Sequence, residues 1–318
     1  MKRRLALLFL LLTPLSSFAD RYYPWIPDNQ IIETISERFP PPAGFERTAE
    51  APGSFGDWLR HLPLKPPGEP VRYFNGKIKA NANIYSAVVD IDTGGEDLQQ
   101  CADAVIRLRA EYLWSRAAYD AIRFNFTSGD PAPYLRWRQG LRPQVNGNHV
   151  RWTRLAEWDG SHESFRRYLD SVFMYAGSWS LNRELPPKRD LEALAIGDVF
   201  IKGGFPGHAA IVVDMAVDPV SREKVFLLAQ SYMPAQDIQI LQNPASPDHG
   251  SWYSLPRRGR LVTPEWTFQA AELKTFDEPE SYPVFSLRKR DTRAPRAYPP
   301  APSDSGAAHS GWKSASPS

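Results

Sequence analysis

Short apolar runs separated by turn residues dominate the second half of the chain. Asp198–Ile201, Ala209–Asp214, Val225–Gln230 and Asp237–Leu241 are the clearest of them. Consecutive strands with short connections predict an antiparallel meander, because a parallel pairing would need a crossover helix between each pair. Upstream, Ile84–Val89 reads as a further strand. Val71–Phe74 and Lys77–Ala80 flank Asn75-Gly76, a dipeptide whose tolerance of positive φ predicts a hairpin. Helical spacing takes over where Cys101, Val105, Leu108, Tyr112 and Trp114 form an approximately continuous stripe, predicting a helix from Cys101 to about Asn125. A second helix is expected over Ser161–Tyr175, opened by Ser161. Shorter helical patterns occur at Gln30–Ile35 and at Ser54–Leu59, with Ser54 as the N-cap. Residues 126–150 read as loop and 176–190 as irregular. The pattern as a whole predicts an α+β domain, with a Cys-bearing helix packed on an antiparallel meander.

The ends of the chain carry different signals. Lys2-Arg3-Arg4 precedes the unbroken apolar run Leu5–Leu12, and Ser17-Phe18-Ala19 supplies small residues before Asp20. That layout predicts a signal peptide over 1–19, too short in its apolar part to span a membrane, and a periplasmic or secreted product. Its removal turns the formal charge of +2 into −1. A near-neutral chain argues against nucleic acid as a partner, and no later run is long enough for an integral membrane segment. Prolines crowd residues 20–70, which read as a wrapping arm. The core domain is expected over 71–290, with a Trp-rich insertion around 126–190. Residues 291–318, rich in Pro, Ser, Ala and Gly, are expected to be a disordered tail.

Chemistry enters with the single cysteine. Cys101 has no intramolecular partner for a disulfide, and it stands at a helix start, where unsatisfied N–H groups favour a thiolate. His208 heads the second strand of the meander, behind a Gly-Pro-Gly loop expected to give access to solvent and substrate. Gln230 closes an apolar strand in which an amide needs a partner. If helix and meander pack together, the three side chains supply a nucleophile, a general base and an orienting group. Gln100 is a weaker candidate for an oxyanion contact, and Tyr85 for the pocket wall. The bland readings are a small buried hydrophobe for Cys101, a structural His208 and a solvated Gln230. Asp90 and Asp92, on one face of a strand, offer a glycosidase-type carboxylate pair or simply a solvated strand end. Trp137, Trp152, Trp158 and Trp179 suit carbohydrate stacking or ordinary packing. No phosphate loop, Gly-x-Ser-x-Gly elbow or zinc-ligand spacing is present, so no cofactor and no metal are expected.

The order of these features resembles the papain-like cysteine peptidases, most closely the NlpC-type cell-wall peptidases. The resemblance rests on Cys101 opening a helix and on Gly197-Asp198 starting a strand. It extends to Gly207-His208 starting the next strand and to Gln230 on the strand after. It covers about 97–113 and 196–230. Gln100-Cys101-Ala102-Asp103 stands where those enzymes have Asp-Cys-Ser/Ala-Gly. The whole sequence also resembles an uncharacterised family of exported bacterial proteins. The resemblance implies a cysteine hydrolase acting on an amide or peptide bond of the cell envelope, or an acyltransferase. Its substrate would then be a cell-wall peptide or another envelope molecule. The alternative is a non-catalytic envelope binding protein on the same fold.

Overall fold

The computed structural model describes residues 23–26, 31, 33–245, 250–255 and 259–277. The expected signal peptide and C-terminal tail lie outside them. In chain order the elements are α1 (Ile35–Arg38), β1 (Glu46–Arg47), α2 (Phe55–Arg60), β2 (Tyr85–Val88), α3 (Cys101–Ser115), β3 (Arg123–Asn125) and β4 (Pro131–Pro133). There follow α4 (Tyr134–Arg138), β5 (Leu141–Asn146), β6 (His149–Arg154), α5 (His162–Tyr175), α6 (Ser178–Glu184), β7 (Val199–Lys202), β8 (His208–Val217) and β9 (Lys224–Gln230). The last are β10 (Gln239–Leu241), β11 (Tyr253–Ser254), β12 (Arg260–Val262), β13 (Thr267–Gln269) and β14 (Leu273–Lys274). The result is a mixed α+β architecture.

An antiparallel sheet in the order β14-β7-β8-β9-β10-β2 forms the frame. β8 is long enough to hold two partners on one edge: β7 along its first half, through Lys202↔His208 to Val199↔Ile211, and β1 at its end. β9 likewise takes β10 at Gln230↔Gln239 and β11 at Tyr253↔Phe226. The meander is as expected because every strand in it is buried nearly throughout, from Val199–Ile201 to Gln239–Leu241.

α3 packs across β8 and β9 and is covered on its other sides as well, so all of Cys101–Leu113 is buried. Arg107 and Glu111 are admitted to its interior because each is paired. Arg107 Nε donates to Glu111 Oε1 at 2.7 Å, and its two other nitrogens reach Gln99 Oε1 (3.1 Å) and Asp92 Oδ2 (3.0 Å). His162 Nε2 on α5 lies 2.9 Å from Glu111 Oε2 and ties the insertion to this helix.

Several sequence expectations are corrected. α3 ends at Ser115, ten residues early, because Ala117 adopts φ +56° and the chain turns to bury Ile122 and Phe124 on a ribbon of β3 with β4. The stretch 126–150 is no loop: it holds β4, α4 and the β5–β6 hairpin, whose turn uses Gly147 at φ +59°. The irregular stretch after 176 contains α6. The Asn75-Gly76 turn is present with Gly76 at φ +80°, but its flanks pair only at Arg72↔Ile78, since Tyr73 bridges Gln236 instead. The first helix begins only at Ile35, where the predicted Gln30–Ile35 segment ends, and residues 27–30 and 32 are not described. Ser54 and Ser161 do cap α2 and α5, accepting from Asp57 N and Ser164 N.

Candidate active site

Cys101 is the first residue of α3. Gln100 before it is extended, and its N–H is taken by the Asp103 carboxylate at 3.1 Å, half of a capping box that fixes where the helix starts. Backbone N–H groups of Ala102, of Cys101 itself and, across the fold, of Ala209 lie near enough to the sulfur to favour its thiolate. Strand geometry explains the last. Val212 exchanges both backbone bonds with the β7 side, so by alternation the Ala209 amide points toward β9. There the ladder begins only at Ile211↔Ala229, which leaves the Ala209 N–H to the helix start.

His208, the residue before Ala209, is held on one ring nitrogen: Nε2 lies 2.7 Å from Gln230 Oε1. Gln230 Nε2 in turn donates to Glu265 Oε2 at 2.8 Å, and Lys79 Nζ lies 2.7 and 2.9 Å from the two Glu265 oxygens. Around the imidazole stand Tyr232, Trp266 and Phe268, with ring centroids 4.8, 5.4 and 5.7 Å away. Gly207 gives the histidine its approach: a Cβ there would lie 2.5 Å from Gly204 O and 2.8 Å from Lys202 O, so a side chain would force the loop open. Imidazole and amide thus meet at the start of β8, the strand against which α3, opened by Cys101, packs.

Two sequence expectations fail here. The loop before His208 does not expose it. Phe205 on that loop is 93 % exposed, whereas His208 is 1 % and Cys101 7 % exposed. Nor does the helix start lower the thiol. Burial, reinforced by the Asp103 charge, pushes Cys101 up to about 11 against the backbone hydrogen bonds that favour the thiolate. Burial likewise presses His208 down to about 4; its bond to Gln230 works the other way, and the Lys79 charge adds to the depression. At neutral pH the pair rests as thiol and imidazole.

Asp103 is the third perturbed group. Its Oδ1 is buried without a partner, and desolvation lifts the carboxyl to about 8 despite the Gln100 hydrogen bond. The folded chain therefore keeps a proton that the unfolded chain releases near pH 4, so stability is lost as pH rises from about 4 to about 8. His208 acts oppositely, costing stability as pH falls from about 6.5 to about 4. Asp103→Asn is expected to match the parent near pH 4 and to exceed it by about 2 kcal/mol at pH 8, allowing for local relaxation around a buried charge. Denaturant unfolding at the two pH values measures this, and an equal offset at both would contradict it.

The remaining candidates sit elsewhere or are otherwise engaged. Gln100 turns its amide to Asp97 Oδ1 at 3.1 Å, an exposed contact that uses one of its two donor hydrogens. Tyr85 Oη accepts from Val71 N, fastening the arm to β2. Asp90 and Asp92 lie beyond the end of β2. Asp92 is drawn down to about 2 because Arg107 and Arg166 outweigh its desolvation, the reverse of what a catalytic acid needs. Trp137 is buried and donates to Ser164 Oγ, and Trp158 and Trp152 pack with Arg138 and Arg136. An open groove of about 330 Å³, lined by Trp137, Arg142, Asp170 and Met174 among others, includes none of Cys101, His208 and Gln230. Among the described residues no group of three or more His, Cys, Asp or Glu is arranged to hold a metal ion, and no helix is long and apolar enough to cross a membrane.

Sequence reasoning missed Lys79, Tyr232, Glu265 and Trp266. One signal pointed toward Glu265: a buried amide at Gln230 demanded a partner, although nothing local named it.

Fold and site define an α+β domain that carries a buried thiol at the start of a helix and a buried imidazole at the start of a strand. The chain belongs to the family described as domain of unknown function 4846, whose model matches residues 35–275. No curated protein and no solved structure matches it.

Proposed function

We propose that this chain is a papain-like cysteine hydrolase, exported to the cell envelope, that cleaves an amide or peptide bond there. The observation that carries the reading is the His208 imidazole, pinned by Gln230, at the start of the strand against which the Cys101 helix packs. Nucleophile, base and orienter follow the order of the NlpC-type enzymes along the chain, and the role of each is the generic one for an activated thiol.

Because both groups rest uncharged, the proton must move as the bond forms. Sγ attacks the carbonyl carbon while its proton passes to His208 Nδ1, and the oxyanion meets N–H groups of the α3 start. The imidazolium returns that proton to the leaving amine as the C–N bond breaks, leaving a thioester. Water, deprotonated by His208, then releases the acid and restores the thiol. Gln230 Oε1 holds the ring throughout. An acceptor amine in place of water would make the same steps an acyl transfer.

Incubation with purified cell-wall peptide fragments is expected to release an amine-terminated product and, on quenching, an acyl adduct on Cys101 by mass spectrometry. Cys101→Ala should abolish both. Activity on wall glycan that survives Cys101→Ala would defeat the reading. The near-complete burial of Cys101, His208 and Gln230 favours one rival, a binding protein that uses the same fold without chemistry. That rival predicts fragment binding with no adduct.

A further inference from the structure

We infer that Glu265 is a positioning residue of this site, acting through Gln230 to decide which nitrogen of His208 carries the proton. The inference rests on the hydrolase reading for its purpose but not for its geometry. A glutamine amide has two nearly isosteric orientations, one offering an acceptor and the other a donor. With Oε1 toward the ring, His208 must hold its proton on Nε2, and Nδ1 is left bare to accept one. With the amide reversed, Nε2 must be the bare nitrogen and the proton moves to Nδ1. The ring would then have nothing to accept a proton from the sulfur.

Nothing intrinsic to Gln230 settles this, and at 1 % exposure no bulk water arbitrates. Glu265 does. An ionised carboxylate only accepts, so at 2.8 Å it requires Gln230 Nε2 and thereby turns Oε1 to His208 at 2.7 Å. Lys79, itself 7 % exposed in its side chain, sits on both carboxylate oxygens and holds Glu265 in that position. Glu265 and Trp266 lie in the turn joining β12 to β13, a two-stranded ribbon outside the main sheet. Thr263 closes that turn, with its N–H donating to Trp266 O at 2.8 Å. One ribbon therefore supplies both the ring packed against His208 and the charge that sets its tautomer.

The test is long-range 1H–15N NMR on histidine-labelled full chain at pH 7, with His208 assigned by its loss in His208→Gln. The parent is expected to show the Nε2–H tautomer. Glu265→Gln, nearly isosteric but able to present either amide atom, is expected to move roughly half the population to Nδ1–H, the two Gln230 orientations being near-equivalent without an acceptor-only partner. Adding Gln230→Glu, which supplies an acceptor directly to the ring, should restore Nε2–H. An unchanged tautomer in Glu265→Gln, or no restoration in the double variant, overturns the inference. Should Glu265→Gln fail to fold, Glu265→Met with Lys79→Met removes both charges together and must show the same shift. Because the tautomer is read without substrate, a shifted tautomer alongside an unreactive Cys101 would sink the hydrolase reading alone.

Discussion

Replacing Asp214 with alanine is expected to cost about 3–5 kcal/mol of stability, the range for removing one partner of a buried ion pair. Asp214 is fully buried in β8 and serves two guanidinium groups. Oδ1 accepts from Arg60 Nε at 2.6 Å and from Met215 N at 2.8 Å, while Oδ2 accepts from Arg47 Nε at 2.8 Å. Arg60 also donates to Thr48 O, and Arg47 to Ser36 O and Phe39 O. The carboxylate is thus the point at which α1, β1 and α2 are clamped to the central strand. Without it, the buried Arg60 keeps only Thr48 and the Met215 carbonyl, with Glu50 nearby, and the part-exposed Arg47 keeps only two carbonyls. Asp214→Asn keeps one acceptor and should lose about half as much. The denaturant midpoint measures the loss, and early proteolytic release of residues before 60 should accompany it. A cost below about 1 kcal/mol would show that the arm is held by apolar packing of Tyr23, Phe55 and Trp58 instead.

What could be read from the sequence was what depends on neighbours along the chain. The strands of the meander, the caps at Ser54 and Ser161, and the start of a helix at Cys101 all follow from local pattern. The pairing of His208 with Gln230 was legible as an order of elements. What escaped depends on residues far apart. Glu265 and Lys79 lie 186 positions from each other, and no periodicity links either to Gln230. The helix after Cys101 stops short of its apolar pattern because Ala117 leaves the helical region without a glycine or proline to mark it. The thiol was misjudged for a related reason. A helix start favours the anion locally, but desolvation by the surrounding fold is larger, and no local pattern reports it.

That balance gives the second large effect. With His208 down at about 4 and Cys101 up at about 11, the imidazole is unprotonated across the whole interval in which the free thiolate is scarce. His208→Ala is therefore expected to slow any reaction of the sulfur at pH 7 by roughly 10²–10⁴-fold, the usual contribution of a positioned base. The loss should shrink as pH approaches the thiol's own ionisation, because hydroxide then does what the ring did. Stability should change little by comparison, since the ring's removal also relieves a buried polar group.

The most direct test is the rate at which a small alkylating agent, iodoacetamide, modifies Cys101 in the native chain as pH is varied, in the parent and in His208→Ala. A shared proton predicts a parent rate that rises near pH 4 and then stays level through neutrality, with a variant rate far lower at pH 7 and still climbing toward about 11. Two superimposed curves, each climbing with pH and neither levelling off, would mean that the imidazole never takes the proton from the sulfur.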